Sequence, residues 1–316
     1  GGFLCLDNIS VFDRSQPLPA GFSLKQADAT GWMAMFALNI TVMALELAVE
    51  DADYEDIAIQ AYQQFLAIAN TIAGYMGGGI SLWDEEAGFF KDVLVAPDGT
   101  GHHIDAYSWV GLIPLFACEV IDGRLLANVP RFHALLREHR GGLFQGHAIC
   151  QCPEWENDRG EHLLSLVDHT QIPRILQRLM DEDQFLSGFG VRSLSRVHEH
   201  HRELGYLPGI GQARIAYVPG ESTSGMFGGN SNWRGPIWMP TNYQLIQSLE
   251  KYHRFLGDGF KVAIPSLGGR ELTLQEVAAL IAGRLVDLYR RDGSGRVPAY
   301  RSEEHTSELQ SPSAIS

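Results

Sequence analysis

Residues 32–48 are apolar almost all round. Trp32, Met33, Met35, Phe36, Leu38, Ile40, Val42, Met43, Leu45 and Leu47 leave little room for a wet face. A helix of this kind belongs inside a protein, buried on every side. Residues 54–73 are striped instead: Ile57, Ala58, Ala61, Tyr62, Phe65, Ile68, Ala69 and Ile72 fall at helical spacing and leave one side polar. The alternation recurs. Residues 107–121 are apolar throughout, by way of Trp109, Val110, Leu112, Ile113, Leu115, Phe116 and Val120. Residues 125–139 and 172–180 are amphipathic, 237–255 are apolar early, and 274–289 are striped. Inner helices alternating with outer ones predict concentric helical layers: an all-α fold, an (α/α)6 barrel or toroid, incomplete, with its site in the loops. A solenoid would repeat at a fixed period, and the sequence has none. Short strands are expected in loops only. Phe89 to Val95, followed by Pro97-Asp98-Gly99, reads as half a hairpin, and 183–220 as mostly loop. No linker interrupts the pattern, so residues 1–300 read as one partial domain.

The chain carries 24 Lys and Arg against 38 Asp and Glu, a net charge of −14. That balance argues against nucleic acid and anionic membranes as partners and says little about a neutral substrate. No uninterrupted apolar run approaches a membrane span. The first residues show neither a start Met nor a signal peptide, so the compartment is not legible; the cysteines demand no oxidising environment, which favours the cytoplasm. Cys150-Gln151-Cys152 is not a zinc spacing, and Cys5 and Cys118 add no second pair. With no P-loop, no dinucleotide fingerprint, no H-E-x-x-H and no G-x-S-x-G, neither cofactor nor metal is expected. Residues 301–316, RSEEHTSELQSPSAIS, lack apolar periodicity and read like the translation of a sequencing adapter; they are expected to be a non-native tail.

The densest chemistry is Gly228-Gly229-Asn230-Ser231-Asn232-Trp233-Arg234-Gly235-Pro236-Ile237-Trp238. Gly and Pro mark a loop, while flat indoles and a fixed fork of donors suit a polar, ring-shaped ligand. Arg234 is open to two roles, fixing a catalytic carboxylate bidentately or forming a structural ion pair. Glu221, just ahead, is either catalytic or structural. Asp7 lies in an apolar loop with Phe3, Leu4, Leu6 and Ile9, which should raise its pKa toward that of a general acid; a turn role is the alternative. Asp28 caps the first helix or binds a sugar hydroxyl, and Trp32 is core or cavity floor. Trp83 beside Asp84 offers a stacking face next to an acceptor. His102-His103 and His198, His200 and His201 read as surface loops.

Taken together these blocks resemble glycoside hydrolase family 63 and the related mannosylglycerate-hydrolase-like group. Gly2-Phe3 through Leu6-Asp7-Asn8, Gln26-Ala27-Asp28 into Trp32-Met33-Ala34, Trp83-Asp84-Glu85-Glu86 into Gly88-Phe89-Phe90, Gly111 to Leu115, and Gly225 to Trp238 fall in the family's order. The resemblance implies an (α/α)6 barrel and hydrolysis of α-glycosidic bonds, in glucosides or mannosides, with inversion. One carboxylic acid protonates the leaving oxygen and a second carboxylate, roughly 6.5–9.5 Å away, activates water. It assigns the acid to Asp7 and the sugar pocket to Trp32, Trp83, Asp84, Trp233, Arg234 and Trp238. The base, a Glu expected beyond Tyr300, has no match, so the chain as written reads as a fragment lacking its base and closing helices, inactive on its own. The segment His102 to Tyr107 departs from the more basic stretch expected there. Two other functions stay open: a sugar epimerase or isomerase using a histidine pair, and a non-enzymatic carbohydrate-binding module.

Overall fold

The computed structural model describes residues 17–75, 78–139, 143–144, 147–148, 156–201, 203–217 and 237–300. Its α-helices are α1 (Ala27–Ala48), α2 (Tyr54–Ile72), α3 (Gly123–Leu126), α4 (Pro130–His139), α5 (Gln171–Leu179), α6 (Met239–Leu256) and α7 (Leu274–Asp287). Periodicity placed α1, α2, α5, α6 and α7 to within a few residues at most ends. Residues 125–139 split into α3 and α4 because Pro130 is tolerated at the first position of a helix but not inside one.

The all-α toroid is corrected by the structure, which is about 45% helix and 19% strand, with several small antiparallel sheets. The chain between helices pairs with itself rather than looping freely. β1 (Ser23–Lys25), β4 (Val93–Val95) and β5 (Gly101–His103) form a three-stranded sheet; β2 (Trp83–Asp84) pairs with β3 (Phe89–Phe90). β6 (Cys118–Ile121) pairs with the distant β9 (His162–Ser165), and β7 (Leu143–Phe144) with β8 (His147–Ala148). The hairpins β10 (Leu186–Ser187) with β11 (Gly190–Val191), β12 (Glu203–Leu207) with β13 (Gly211–Arg214), and β14 (Lys261–Ile264) with β15 (Arg270–Thr273) complete the set. Residues 107–121, expected as an inner helix, form two 3-10 turns, Trp109–Gly111 and Ile113–Phe116, and then β6. Gly111 and Pro114 interrupt the helix, and Val110, Ile113, Val120 and Ile121 are β-branched. A continuous apolar run cannot by itself distinguish a buried helix from buried strand and turn.

Gly111 also has a packing reason. A Cβ there would lie 2.2 Å from the Phe89 ring and 2.2 Å from the Phe90 carbonyl oxygen. The turn therefore presses directly on β3. Around it sits the main core, whose largest fully buried side chains include Trp109, Tyr62, Phe65, Phe89, Phe90, Phe132 and Phe185. α2 packs along α1, and Glu55 of α2 reaches across to α4, accepting from the Phe132 backbone N–H at 2.8 Å and from Arg131 Nε at 2.9 Å.

α1 departs from expectation in another respect. Only one side is buried; Met33, Phe36, Ile40, Met43 and Leu47 are exposed, from 42% at Phe36 to 55% at Met43. Its mean hydropathy of 1.5 over 18 residues also makes it long and apolar enough to cross a membrane by length and composition, contrary to the reading of the sequence. Half of that window is buried inside the protein, as in the core helix of a globular fold.

Candidate functional site

The start of α1 is anchored by β4 and the residues beside it. The Ala27 N–H donates to Asp92 Oδ1 at 2.9 Å, and Asp28, fully buried, accepts from the Ala29 N–H at 2.7 Å. A carboxylate in the first turn meets the positive end of the helix dipole. Trp32 follows one turn later on the same side of the helix. It is half-buried, and its ring meets Phe116 edge to face at 5.5 Å. Asp28 and Trp32 therefore sit together, with the indole partly open.

Trp83 and Asp84 are neighbours in β2 and point to opposite sides of it, as strand geometry requires. The Trp83 ring packs on Phe90 at 4.9 Å, its Nε1 donates to Glu85 Oε2 at 2.6 Å, and the Arg174 guanidinium lies 5.4 Å from the ring centre. Arg174 also ion-pairs with Glu85. Trp83 lines a cavity of about 440 Å³ shared with Tyr75, Ser81, Asp168, His169 and Gln171. Asp84 instead turns to Lys91.

Lys91 is 2% exposed and bridges two carboxylates, Asp84 Oδ2 at 2.7 Å and Asp105 Oδ1 at 2.5 Å. Burial works against its charge, but the hydrogen bonds to Asp105 and Asp84 outweigh it and hold the ammonium above the usual lysine range. Burial likewise opposes charge on Asp84, but the Ala87 N–H and Lys91 together hold it below the usual carboxylate range. Asp84 is thus an acceptor at neutral pH and not a proton donor. Beside the bridge stands Tyr107. Its ring has Lys91 Nζ at 5.0 Å, Arg178 at 4.5 Å, Phe89 at 5.5 Å and the His198 ring stacked at 5.9 Å. Asp105 is 59% exposed and opens the cluster to solvent.

The histidines differ from the sequence reading. His198 is 1% exposed, not on the surface. Its Nε2 accepts the Tyr107 N–H at 3.0 Å, so Nδ1 carries the proton that it donates to the His201 carbonyl at 3.0 Å. Burial pushes its pKa down. His103 Nε2 is hydrogen-bonded to the Ser81 carbonyl oxygen at 3.0 Å. Both are held by backbone, which gives the histidine-pair epimerase no support. Lys91, Asp105 and Tyr107 escaped sequence reasoning. The available signal was a lysine inside the apolar run Phe89-Phe90-Lys91, since lysine is almost never fully buried without a partner.

Trp238 precedes α6 and is half-buried against the main core. Its carbonyl accepts from Asn242 Nδ2 at 2.9 Å and Thr241 Oγ1 at 3.1 Å. Asn242 Oδ1 also accepts the Val191 N–H at 2.8 Å, and Arg192 forms a bridge with Ile237. Next along the chain, the Ser193 carbonyl accepts the Trp109 N–H at 2.9 Å, and Leu194 forms a bridge with Ser108. The entry to α6 is thereby tied to the Tyr107 turn. Asp7, Glu221, Trp233 and Arg234 lie outside the described residues, as do Cys5, Cys150, Cys152 and the segment 301–316. Cys118 is buried, and burial pushes its thiol up to about 12. Among the described residues, no group of three or more His, Cys, Asp or Glu is placed to hold a metal ion.

Trp83 on its cavity and the buried carboxylates of Asp28 and Asp92 at the start of α1 are the features that the described residues bring out. Residues 162–310 match the mannosylglycerate hydrolase MGH1-like glycoside hydrolase domain. The chain is also 39% identical over 312 residues to the uncharacterized protein YMR196W of Saccharomyces cerevisiae, covering 93% of this chain and 28% of that protein. The chain thus spans less than a third of the length of this relative. Residues 162–310 are thus similar to an MGH1-like glycoside hydrolase domain.

Proposed function

We propose that this chain is part of an inverting glycoside hydrolase that cleaves α-glucosides or α-mannosides by general acid and general base catalysis. The observation that carries the reading is the match to a glycoside hydrolase domain across residues 162–310, which includes the segment Gly228 to Trp238. Asp7 is the general acid, giving its proton to the leaving oxygen; a glutamate beyond Tyr300 is the base that activates water on the opposite face. Trp32, Trp83, Trp233 and Trp238 supply stacking faces, while Asp28, Asp84 and Arg234 hold hydroxyls or neighbouring carboxylates. Asp84 suits this role because its carboxylate stays charged beside Lys91. No cofactor takes part.

The test uses the full-length polypeptide with α-glucosides and α-mannosides bearing poor leaving groups. Asp7→Asn should lower hydrolysis by about 10²–10⁴-fold, the usual worth of acid–base assistance. Unchanged turnover rejects the acid assignment. Proton NMR of the first-formed anomer decides the stereochemistry, and retention of configuration rejects inversion.

A further inference from the structure

We propose that the cavity beside Trp83 binds a neutral pyranose ring, with Tyr75, Asp168 and Gln171 as its binding residues. Stretches far apart in sequence build it: the end of α2, the chain from Ser81 through β2 to Phe90, and the entry to α5. α2 stops at Ile72, whose carbonyl accepts the Leu82 N–H at 2.9 Å. Gly74, at φ +84°, permits that return; a Cβ there would lie 2.7 Å from the Ser81 nitrogen. The closure leaves Tyr75, 49% exposed, among the lining residues. Another wall is the Asp168 turn. Asp168 Oδ1 accepts from the Thr170 and Gln171 N–H groups at 2.8 and 2.9 Å and from Thr170 Oγ1 at 2.6 Å, while Oδ2 takes none of these bonds. Gln171 Oε1 accepts the Asp168 N–H at 3.1 Å, which leaves the two donors of its Nε2 for a ligand.

The lining selects the ligand. Trp83 and Tyr75 offer ring surface, and Asp168 Oδ2, Gln171 Nε2 and the Tyr75 hydroxyl offer hydrogen bonds of both senses. An apolar ring edged with hydroxyls meets both. The volume of about 440 Å³ falls among small-molecule sites. Phe90, Glu85 and Arg174 already fix the Trp83 indole, so binding orders little that is loose. An anion is disfavoured: Arg174 is paired with Glu85, and Asp168 stands close enough to Glu85 for their charges to repel. A wholly apolar ligand would strand the Asp168 carboxylate and the Gln171 amide. The choice of a sugar over another flat polar ring, such as a nucleobase, rests on the glycosidase reading, whose matched segment supplies Asp168 and Gln171. The cavity shares no lining residue with the Asp28–Trp32 pair.

Saturation-transfer NMR on the full-length polypeptide, with methyl α-D-glucopyranoside and methyl α-D-mannopyranoside as probes, reads binding without turnover. At least one probe should bind and should slow amide exchange in residues 81–83 and 168–171. Tyr75→Ala and Asp168→Ser should each weaken that binding by about ten-fold, the loss of one good contact. Serine still supplies an acceptor at the start of α5 but removes Oδ2. Tyr75→Ala probes the same cavity if Asp168→Ser does not fold. A polypeptide that hydrolyses no glycoside yet binds the probes in this way rejects the hydrolase and supports the cavity site. One that hydrolyses glycosides while both variants bind like the parent rejects the cavity site alone. Binding of neither probe, or protection of residues 168–171 by adenosine or inorganic phosphate in preference to them, overturns the proposal.

Discussion

Lys91 holds two carboxylates from a site that admits almost no solvent, so its removal leaves Asp84 charged and uncompensated. Breaking a buried pair from one side costs about 3–5 kcal/mol. Because Asp105 reaches solvent, Lys91→Met is expected near the lower end, read by urea unfolding. The double variant Lys91→Met, Asp84→Asn should cost less than the two single changes added together. The pair also sets a pH window. Asp84, held low, contributes stability that is full above its unfolded pKa of about 3.9 and is lost as pH falls through its lower folded value. Lys91, held high, contributes stability that is full below about 10.4 and is lost as pH rises through its higher folded value. Lys91→Met should flatten both flanks of the stability profile. His198 acts from the acid side in its own way. Its folded pKa is depressed, so stability is full above about 6.5 and declines as protons bind the unfolded chain first. The melting temperature should drop between pH 7.5 and 5.5, and His198→Gln should reduce that drop.

At the level of elements, two contacts fix how the pieces meet. Gly111 lets the 3-10 turn touch β3 with no intervening side chain. Gly111→Ala forces a clash with backbone, which does not yield like a flexible side chain, and should cost at least about 1–3 kcal/mol. Near-UV circular dichroism should change with it, since Phe89 packs on Tyr107. Glu55 ties α2 to the first turn of α4. Glu55→Ala leaves the buried Phe132 N–H without its acceptor, for a loss of about 1–3 kcal/mol by denaturant midpoint. These elements also show where sequence reasoning holds. α2 and α7 were legible because a polar face interrupts the apolar one at a helical period. Residues 107–121 were not, because an apolar run carries no period, although the helix breakers Gly111 and Pro114 stand in plain view within it. The strands were mostly hidden for a related reason. Two or three residues such as Phe89-Phe90 or Ser23 to Lys25 show no alternation, and they become strands only when a partner supplies hydrogen bonds.

For the whole molecule, the charge of −14 and the acidic end of α1 oppose binding to polyanions. The chain should neither float with phosphatidylserine vesicles nor shift duplex DNA in a gel at 50 mM salt; retention of either would show that the net charge misleads. The exposed stripe on α1 belongs to this scale too. A sequence apolar all round says that a helix wants cover on every side, and the structure shows which side the described residues leave open. The sequence by itself determined the helices with a polar face, the acid balance, and the indole, carboxylate and Gly-rich blocks that resemble a glycosidase, because these properties are local or are written as an ordered string. Only the tertiary structure decided that Trp83 and Asp84 part company, that Lys91 bridges Asp84, seven residues before it, and Asp105, 14 residues after it, and that His198 is buried beside Tyr107. Those depend on which distant groups burial forces together, and a buried charge takes whatever partner the fold brings within reach.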